Sequence, residues 1–228
     1  MIIEDIKQHL GKPITKLSLG GIRPTHELTE SWIGKVFLFD QGETLPRDDL
    51  GNEMMPLAQI CLKNLPYVPE AVEGIELLTL FVSTEFPQPF DEMGSSWLIR
   101  EYRSVQGLER KEFVCSDLEP FPLHPEMVER DCPLWEDQIL SSMKNDMPVM
   151  ENSGEIECYY DTIDHYYAHK FGGYPSYCQP GIDFGEDYEF VFQIASDPNV
   201  RLTIGDNGSF MFARNRRDGC WVMYYDEY

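Results

Sequence analysis

Basic residues are scarce in this chain. It carries 18 Lys and Arg against 40 Asp and Glu, a formal net charge of −22. Nucleic acids and anionic membrane surfaces need a basic face, so neither is expected as a partner. Closely spaced cysteines are also missing. Cys61, Cys115, Cys132, Cys158, Cys178 and Cys220 stand far apart with no Cys-x-x-Cys pair, which excludes a tightly spaced zinc motif. No apolar run approaches the roughly 20 residues that span a bilayer. The acidic start, Met1 to Asp5, lacks the basic opening of a signal peptide. These features predict free thiols in a reducing cytoplasm. There is no low-complexity segment, no flexible linker and no familiar catalytic motif, and no cofactor is implied.

What the chain does have is a core-forming composition, 42% hydrophobic and 13% aromatic, and one stretch around which the rest is organised. From His169 to Gln179 it reads His-Lys-Phe-Gly-Gly-Tyr-Pro-Ser-Tyr-Cys-Gln, followed by an acidic loop. Gly172-Gly173 ahead of Tyr174-Pro175 predicts a sharp bend with positive φ, leading into an extended aromatic segment. Glu189 to Ala195 is apolar and β-prone, hence a buried strand. Asp206-Asn207-Gly208 predicts a turn, and Phe210, Phe212, Trp221, Val222 and Tyr224 continue the sheet.

Upstream, apolar Ile2, Ile3, Ile6 and Leu10 stand at helical spacing, and Gly11 and Pro13 stop that helix. Strands are predicted at 14–19, 32–39, 55–62, 75–82 and 97–103. In the middle, 104–154, prolines keep the elements short. There a short strand at 112–115, a helical turn at 125–131 and a short helix at 135–143 are expected, and beyond it a further short helix at 161–169. Gly34, then Gln59-Ile60, then Leu80-Phe81-Val82 parallels Gly172, then Gln193-Ile194, then Phe210-Met211-Phe212. That order predicts an internal repeat, 31–83 and 168–214, against the alternative of a chance match between two short strands.

Four groups of residues could carry chemistry. His165 and His169 share a face if their segment is helical, as paired zinc ligands do, but no protease-type Glu accompanies them; the preferred reading has His169 hydrogen-bonding backbone in the Gly-Gly turn and His165 partly exposed. Cys178 near His169 has the residue types of a nucleophile and its base, without an orienting third group; a buried structural thiol is the preferred reading. Gln59 and Gln193 lie inside apolar strands, where a buried amide must be satisfied. They brace neighbouring backbone or line a cleft between the halves. Finally, Glu155, Glu157, Asp161, Asp164, Asp183, Glu186, Asp187 and Glu189 are interleaved with Tyr159, Tyr160, Tyr166, Tyr167, Tyr174, Tyr177 and Tyr188. Such a run is either solvated strand packing or a surface for a basic protein.

The run His169-Lys170-Phe171-Gly172-Gly173-Tyr174-Pro175 with Gln179, the strand ending Phe192-Gln193-Ile194, and Gly208-Ser209-Phe210-Met211-Phe212 together resemble the YwqG-like family, a bacterial domain family of unknown function. Pro46-Arg47-Asp48, Pro56 to Ile60, Gly74 to Val82 and Ser96 to Tyr102 are similar to that family's earlier segments, so the likeness runs from about Gly34 to Arg214. It implies one compact α+β domain over residues 1–228, mainly of antiparallel strands, with two related halves. The expected function is a non-enzymatic cytoplasmic binding protein, immunity-like or regulatory, with an acidic tyrosine-rich surface for a basic protein. The alternative is a hydrolase or small-molecule binder with a cleft near His169. The structural or cleft-lining candidates are His169, Gly172, Gly173, Pro175, Gln179, Gln193 and Gln59. The partner-binding candidates are Glu186, Asp187, Glu189, Tyr174 and Tyr177. No metal site is expected.

Overall fold

The computed structural model describes residues 2–20, 23–85, 87–113, 117–140, 147–154 and 158–227. Twelve strands account for most of the architecture. In the first half they are β1 (Lys12–Leu19), β2 (Trp32–Ile33), β3 (Leu38–Phe39), β4 (Met55–Cys61), β5 (Leu77–Val82) and β6 (Trp97–Tyr102). They continue as β7 (Glu109–Arg110), β8 (Phe121–Asp131), β9 (Lys170–Gly172), β10 (Tyr188–Ala195), β11 (Ser209–Asn215) and β12 (Trp221–Asp226). Ten of them form one antiparallel sheet in the order β12-β11-β10-β9-β1-β8-β2-β4-β5-β6, while β3 and β7 pair separately.

That sheet curls until its two ends nearly meet. Glu101 of β6 receives Arg214 Nε at 2.7 Å and Trp221 Nε1 at 2.6 Å from the far edge. Phe90, in the β5–β6 connection, donates its N–H to the Met223 carbonyl of β12. Inside the curl lie Ile33, Leu57, Phe171, Phe192 and Phe212, all at most 1% exposed. The rings of Phe171, Phe192 and Phe212 stack in sequence, with centroids 4.9 and 4.6 Å apart.

The fold is therefore mainly β and barrel-like, which corrects the α+β expectation. Helices α1 (Ile2–His9), α2 (Met147–Ser153) and α3 (Tyr159–Thr162) are short. The largest misreading is at 125–131, where a helical turn was expected and the longest strand, β8, is found. Pro125 is tolerated there for a specific reason. Its partner Leu17 sends its own N–H away from β8, to the His169 carbonyl. The Leu17–Pro125 pair is therefore a non-hydrogen-bonded one, and the proline's missing N–H faces past the end of the two-residue β2. Similarly, the helix expected over 161–169 stops at Thr162. Residues 163–169 form no helix because their backbone and side chains are held by β8 and its C-terminal continuation. The strand expected at 112–115 and the helix at 135–143 fall partly outside the described residues. What is seen of the latter is a 3-10 turn, Gln138–Leu140.

Outward from the β1–β8 pair, the strand order is matched on both sides: β9, β10, β11 and β12 one way, β2, β4, β5 and β6 the other. The local bonds match as well. Trp32 pairs with Gln59, and Lys170 with Gln193. Gln59 Oε1 accepts the Leu38 N–H, and Gln193 Oε1 the Ser176 N–H. The Gln59 amide nitrogen donates to the Glu30 carbonyl, and that of Gln193 to Ala168. Ser31 Oγ accepts the Cys61 N–H where His169 Nδ1 accepts that of Ala195.

Candidate functional site

At the end of β8, the Asp131 carboxylate is fully buried. It accepts the Tyr166 N–H at 2.7 Å, the Tyr174 N–H at 2.9 Å and the Lys170 ammonium at 2.9 Å. The glycine pair makes this possible. Gly172 and Gly173 both have positive φ, +80° and +72°, and a Cβ on Gly173 would collide with Asp131 Oδ2 and Ile14 Cγ2. Only a glycine lets the chain turn this close to the carboxylate and aim the next N–H at it. Lys170 is likewise fully buried. Burial pushes its amine down to about 8, against the opposing pull of Asp131.

Beside this pair stands His165, its side chain 1% exposed. Nδ1 lies 2.7 Å from the Cys132 carbonyl and so carries the proton. Nε2 is then an acceptor, 2.9 Å from Ser176 Oγ and 3.4 Å from Lys170 Nζ. Gln193 Nε2 donates to Ser176 Oγ in turn, at 2.9 Å. The relay thus runs Gln193 to Ser176 to His165 to the Cys132 carbonyl. Burial first, and then the charge of Lys170, hold the His165 imidazole well below its usual pKa. It stays neutral, as the neighbouring ammonium requires.

The first half shows that the fold does not demand these groups. At Lys170's place it has Trp32, and at Ser176's place Leu38, both buried in apolar clusters. Burying an ion pair costs desolvation that an apolar pair avoids. The polar network of the second half stands where the first half carries Trp32 and Leu38, and it lies directly beneath a cleft.

The cleft follows the turn from Gly172 to Cys178. One cavity of about 400 Å³ is lined by Lys12, Tyr67, Glu70, Gly172, Gly173, Glu189 and Arg216. It shares Lys12 and Gly173 with a second, of about 350 Å³, bounded by Asp137, Tyr174, Pro175, Tyr177, Asp183 and Phe184. A third, of about 300 Å³, continues past Tyr177 to Glu136, Tyr160, Tyr167 and Cys178. Lys12 lies 4.1 Å over the Tyr174 ring and makes no ion pair with any described residue. Burial lowers its pKa, while Asp137 and Glu189 oppose that shift.

The structure brings together Gly172, Gly173, Tyr174, Pro175, Tyr177, Gln193 and Glu189 of the sequence-derived candidates. Tyr174 and Tyr177 are buried, 4% and 6% exposed, so they are cleft walls rather than an outer tyrosine surface. Tyr174 donates its hydroxyl to the Leu10 carbonyl. Gln59 is buried in the other half. Gln179 is exposed, its N–H on Asp226. Glu189 accepts the Ala71 N–H and pairs with Arg216, Asp187 pairs with Arg217, and Glu186 is exposed. His169 is 2% exposed, its Nδ1 taken by Ala195 and its Nε2 3.6 Å from Asp197, and it lines none of the cleft cavities. His165 and His169 thus serve different partners, and no cluster of three or more metal-ligating side chains occurs among the described residues. Glu155 and Glu157 lie outside the described residues. Sequence reasoning missed Asp131, Lys170, Ser176, Lys12 and Asp137. A lysine between His169 and Phe171, directly ahead of the Gly-Gly turn, was the available signal for Lys170; Asp131 had none.

No described helix is long and apolar enough to cross a membrane. The comparison with curated proteins finds no match. Residues 31–218, from just before β2 through the turn after β11, match the family described as "Domain of unknown function (DUF1963)", and the chain belongs to that family.

Proposed function

We propose that this protein is a non-enzymatic binding protein whose cleft takes a basic segment of another protein. The observation that carries this reading is the cleft's lining. Asp137, Asp183, Glu70 and Glu136 rim it, aromatic rings wall it, and a chain with a net charge of −22 surrounds it. Carboxylates steer a basic partner, and tyrosines supply contact area at small entropic cost. Lys12, at the centre, is a donor for an incoming backbone carbonyl. A reducing cytoplasm, an immunity-like or regulatory role and the likeness to YwqG-like proteins belong to the same reading. So does the origin of 31–83 and 168–214 as copies of one unit, which the matched Gln59 and Gln193 bonds support.

Catalysis at Ser176 is the competing idea, because its Oγ stands 2.9 Å from an imidazole nitrogen. His165 is a poor base, however. Burial and Lys170 both oppose its protonation. The test is binding of fluorescent decapeptides, rich in Arg and Lys, neutral, or rich in Glu, to the whole chain. Binding of the basic peptide, lost in Asp137→Lys/Asp183→Lys, is expected. Equal affinity for all three, or selective binding of the acidic one, contradicts the proposal.

A further inference from the structure

The first half of the molecule contains a filled version of the cleft. There β3 is covered by β7, with Leu38 opposite Arg110 and Phe39 opposite Glu109 in antiparallel register. Lys111 N–H continues the pairing to the Phe37 carbonyl at 2.9 Å. The covering strand is basic where it matters. The Arg110 guanidinium lies 4.6 Å from the Phe37 ring centroid, and Lys111 Nζ donates to the Glu43 carbonyl at 2.8 Å.

Ser176 stands where Leu38 does, each with its N–H on the glutamine of the neighbouring strand. Pro175 then corresponds to Phe37 and Tyr177 to Phe39. Proline at 175 forgoes only the N–H that Phe37 gives to Gln59, and keeps the carbonyl that Phe37 gives to Lys111. In the second half, however, no strand covers this stretch among the described residues. Neither the Pro175 carbonyl nor the Tyr177 N–H bonds to any described residue, and both residues line the cavity that Asp137 and Asp183 also border.

We propose that an extended basic segment of a partner protein docks here as an added antiparallel strand, pairing with Pro175 to Tyr177 as β7 pairs with β3. The inference rests on the reading of the cleft as a basic-segment site and adds the mode of binding. Main-chain bonds to Pro175 and Tyr177 supply affinity independent of side chains. Arg or Lys side chains reach Asp137 and Asp183, which supply the charge preference. Lysine or arginine opposite Ser176 would lie across Pro175, as Arg110 lies across Phe37.

The experiment uses the full chain, ¹⁵N-labelled, and an octapeptide alternating Arg and Val. Two further octapeptides carry backbone N-methyl groups at the odd or at the even positions only. A strand presents alternate residues to its partner. One methylated isomer should therefore bind as the parent does, and the other at least tenfold more weakly. The parent should slow exchange of the Tyr177 amide at least tenfold. Equal binding by both isomers with Tyr177 unprotected overturns strand addition, while leaving the cleft as a basic-segment site. Failure of the parent itself to bind overturns both.

Discussion

Gly173 shows how one atom fewer organises the site. A Cβ there would meet the Asp131 carboxylate, whereas one on Gly42, also at positive φ, would meet nothing within 4 Å. Gly42→Ala should cost only the left-handed penalty of about 1–2 kcal/mol. Gly173→Ala must also displace a buried charge from its donors, so a loss of roughly 3 kcal/mol or more is expected from chemical denaturation. His165 gives a second residue-scale test, in pH. Its folded pKa lies well below 6.5, so in acid the unfolded chain takes up a proton that the folded chain refuses. Stability should fall as pH drops below about 6.5, and less steeply in His165→Gln, in thermal melts across that range. The turn itself was legible, because Gly-Gly before Tyr-Pro has few conformational alternatives. The carboxylate it wraps was not, because Asp131 is distant in sequence and sits among ordinary surface-like acids.

Among the elements, the apolar strands were readable from composition, and β4, β5, β10 and β11 lie close to where alternation and β-branching put them. β8 was hidden by its prolines, whose tolerance depends on which side of the strand is unpaired, a property of the neighbours and not of the segment. β9 was hidden by Lys170, a charge where a strand of this burial normally carries an apolar residue, as Trp32 does in the other half. Lys170→Met should leave Asp131 ionised without its cation and cost about 3–5 kcal/mol. Asp131→Asn/Lys170→Met should recover part of that loss in the same denaturation measurement, since it removes the unpaired buried charge while the amide oxygen still accepts one of the two N–H groups, Tyr166 or Tyr174, that the two carboxylate oxygens share between them.

At the scale of the whole molecule, β6 and β12 are ends of the hydrogen-bonded order, so the curled sheet closes through side chains and the backbone bond from Phe90 to Met223 rather than through a strand ladder. Glu101 gathers Arg214 and Trp221 across that seam. Glu101→Ala should cost about 2–4 kcal/mol, the scale of three hydrogen bonds to a partly exposed carboxylate. It should also raise amide exchange in β6 and β12 before the central β1–β8 pair, as read by mass spectrometry. Sequence periodicity identifies strands but carries no information on how far a sheet curls, which is why a barrel-like β fold was not foreseen.

The net charge of −22 also acts at this scale. If the cleft receives a basic segment, long-range attraction speeds encounter, and local carboxylates hold the complex. The most direct test is stopped-flow association of the Arg/Val octapeptide with the wild-type chain and with Asp137→Lys/Asp183→Lys, from low to high salt. At about 0.15 M salt the screening length is about 8 Å, so the wild-type association rate should already have fallen there and should keep falling as salt rises. The double variant should associate at least tenfold more slowly at low salt. Rates indifferent to both salt and the charge reversal would contradict the account.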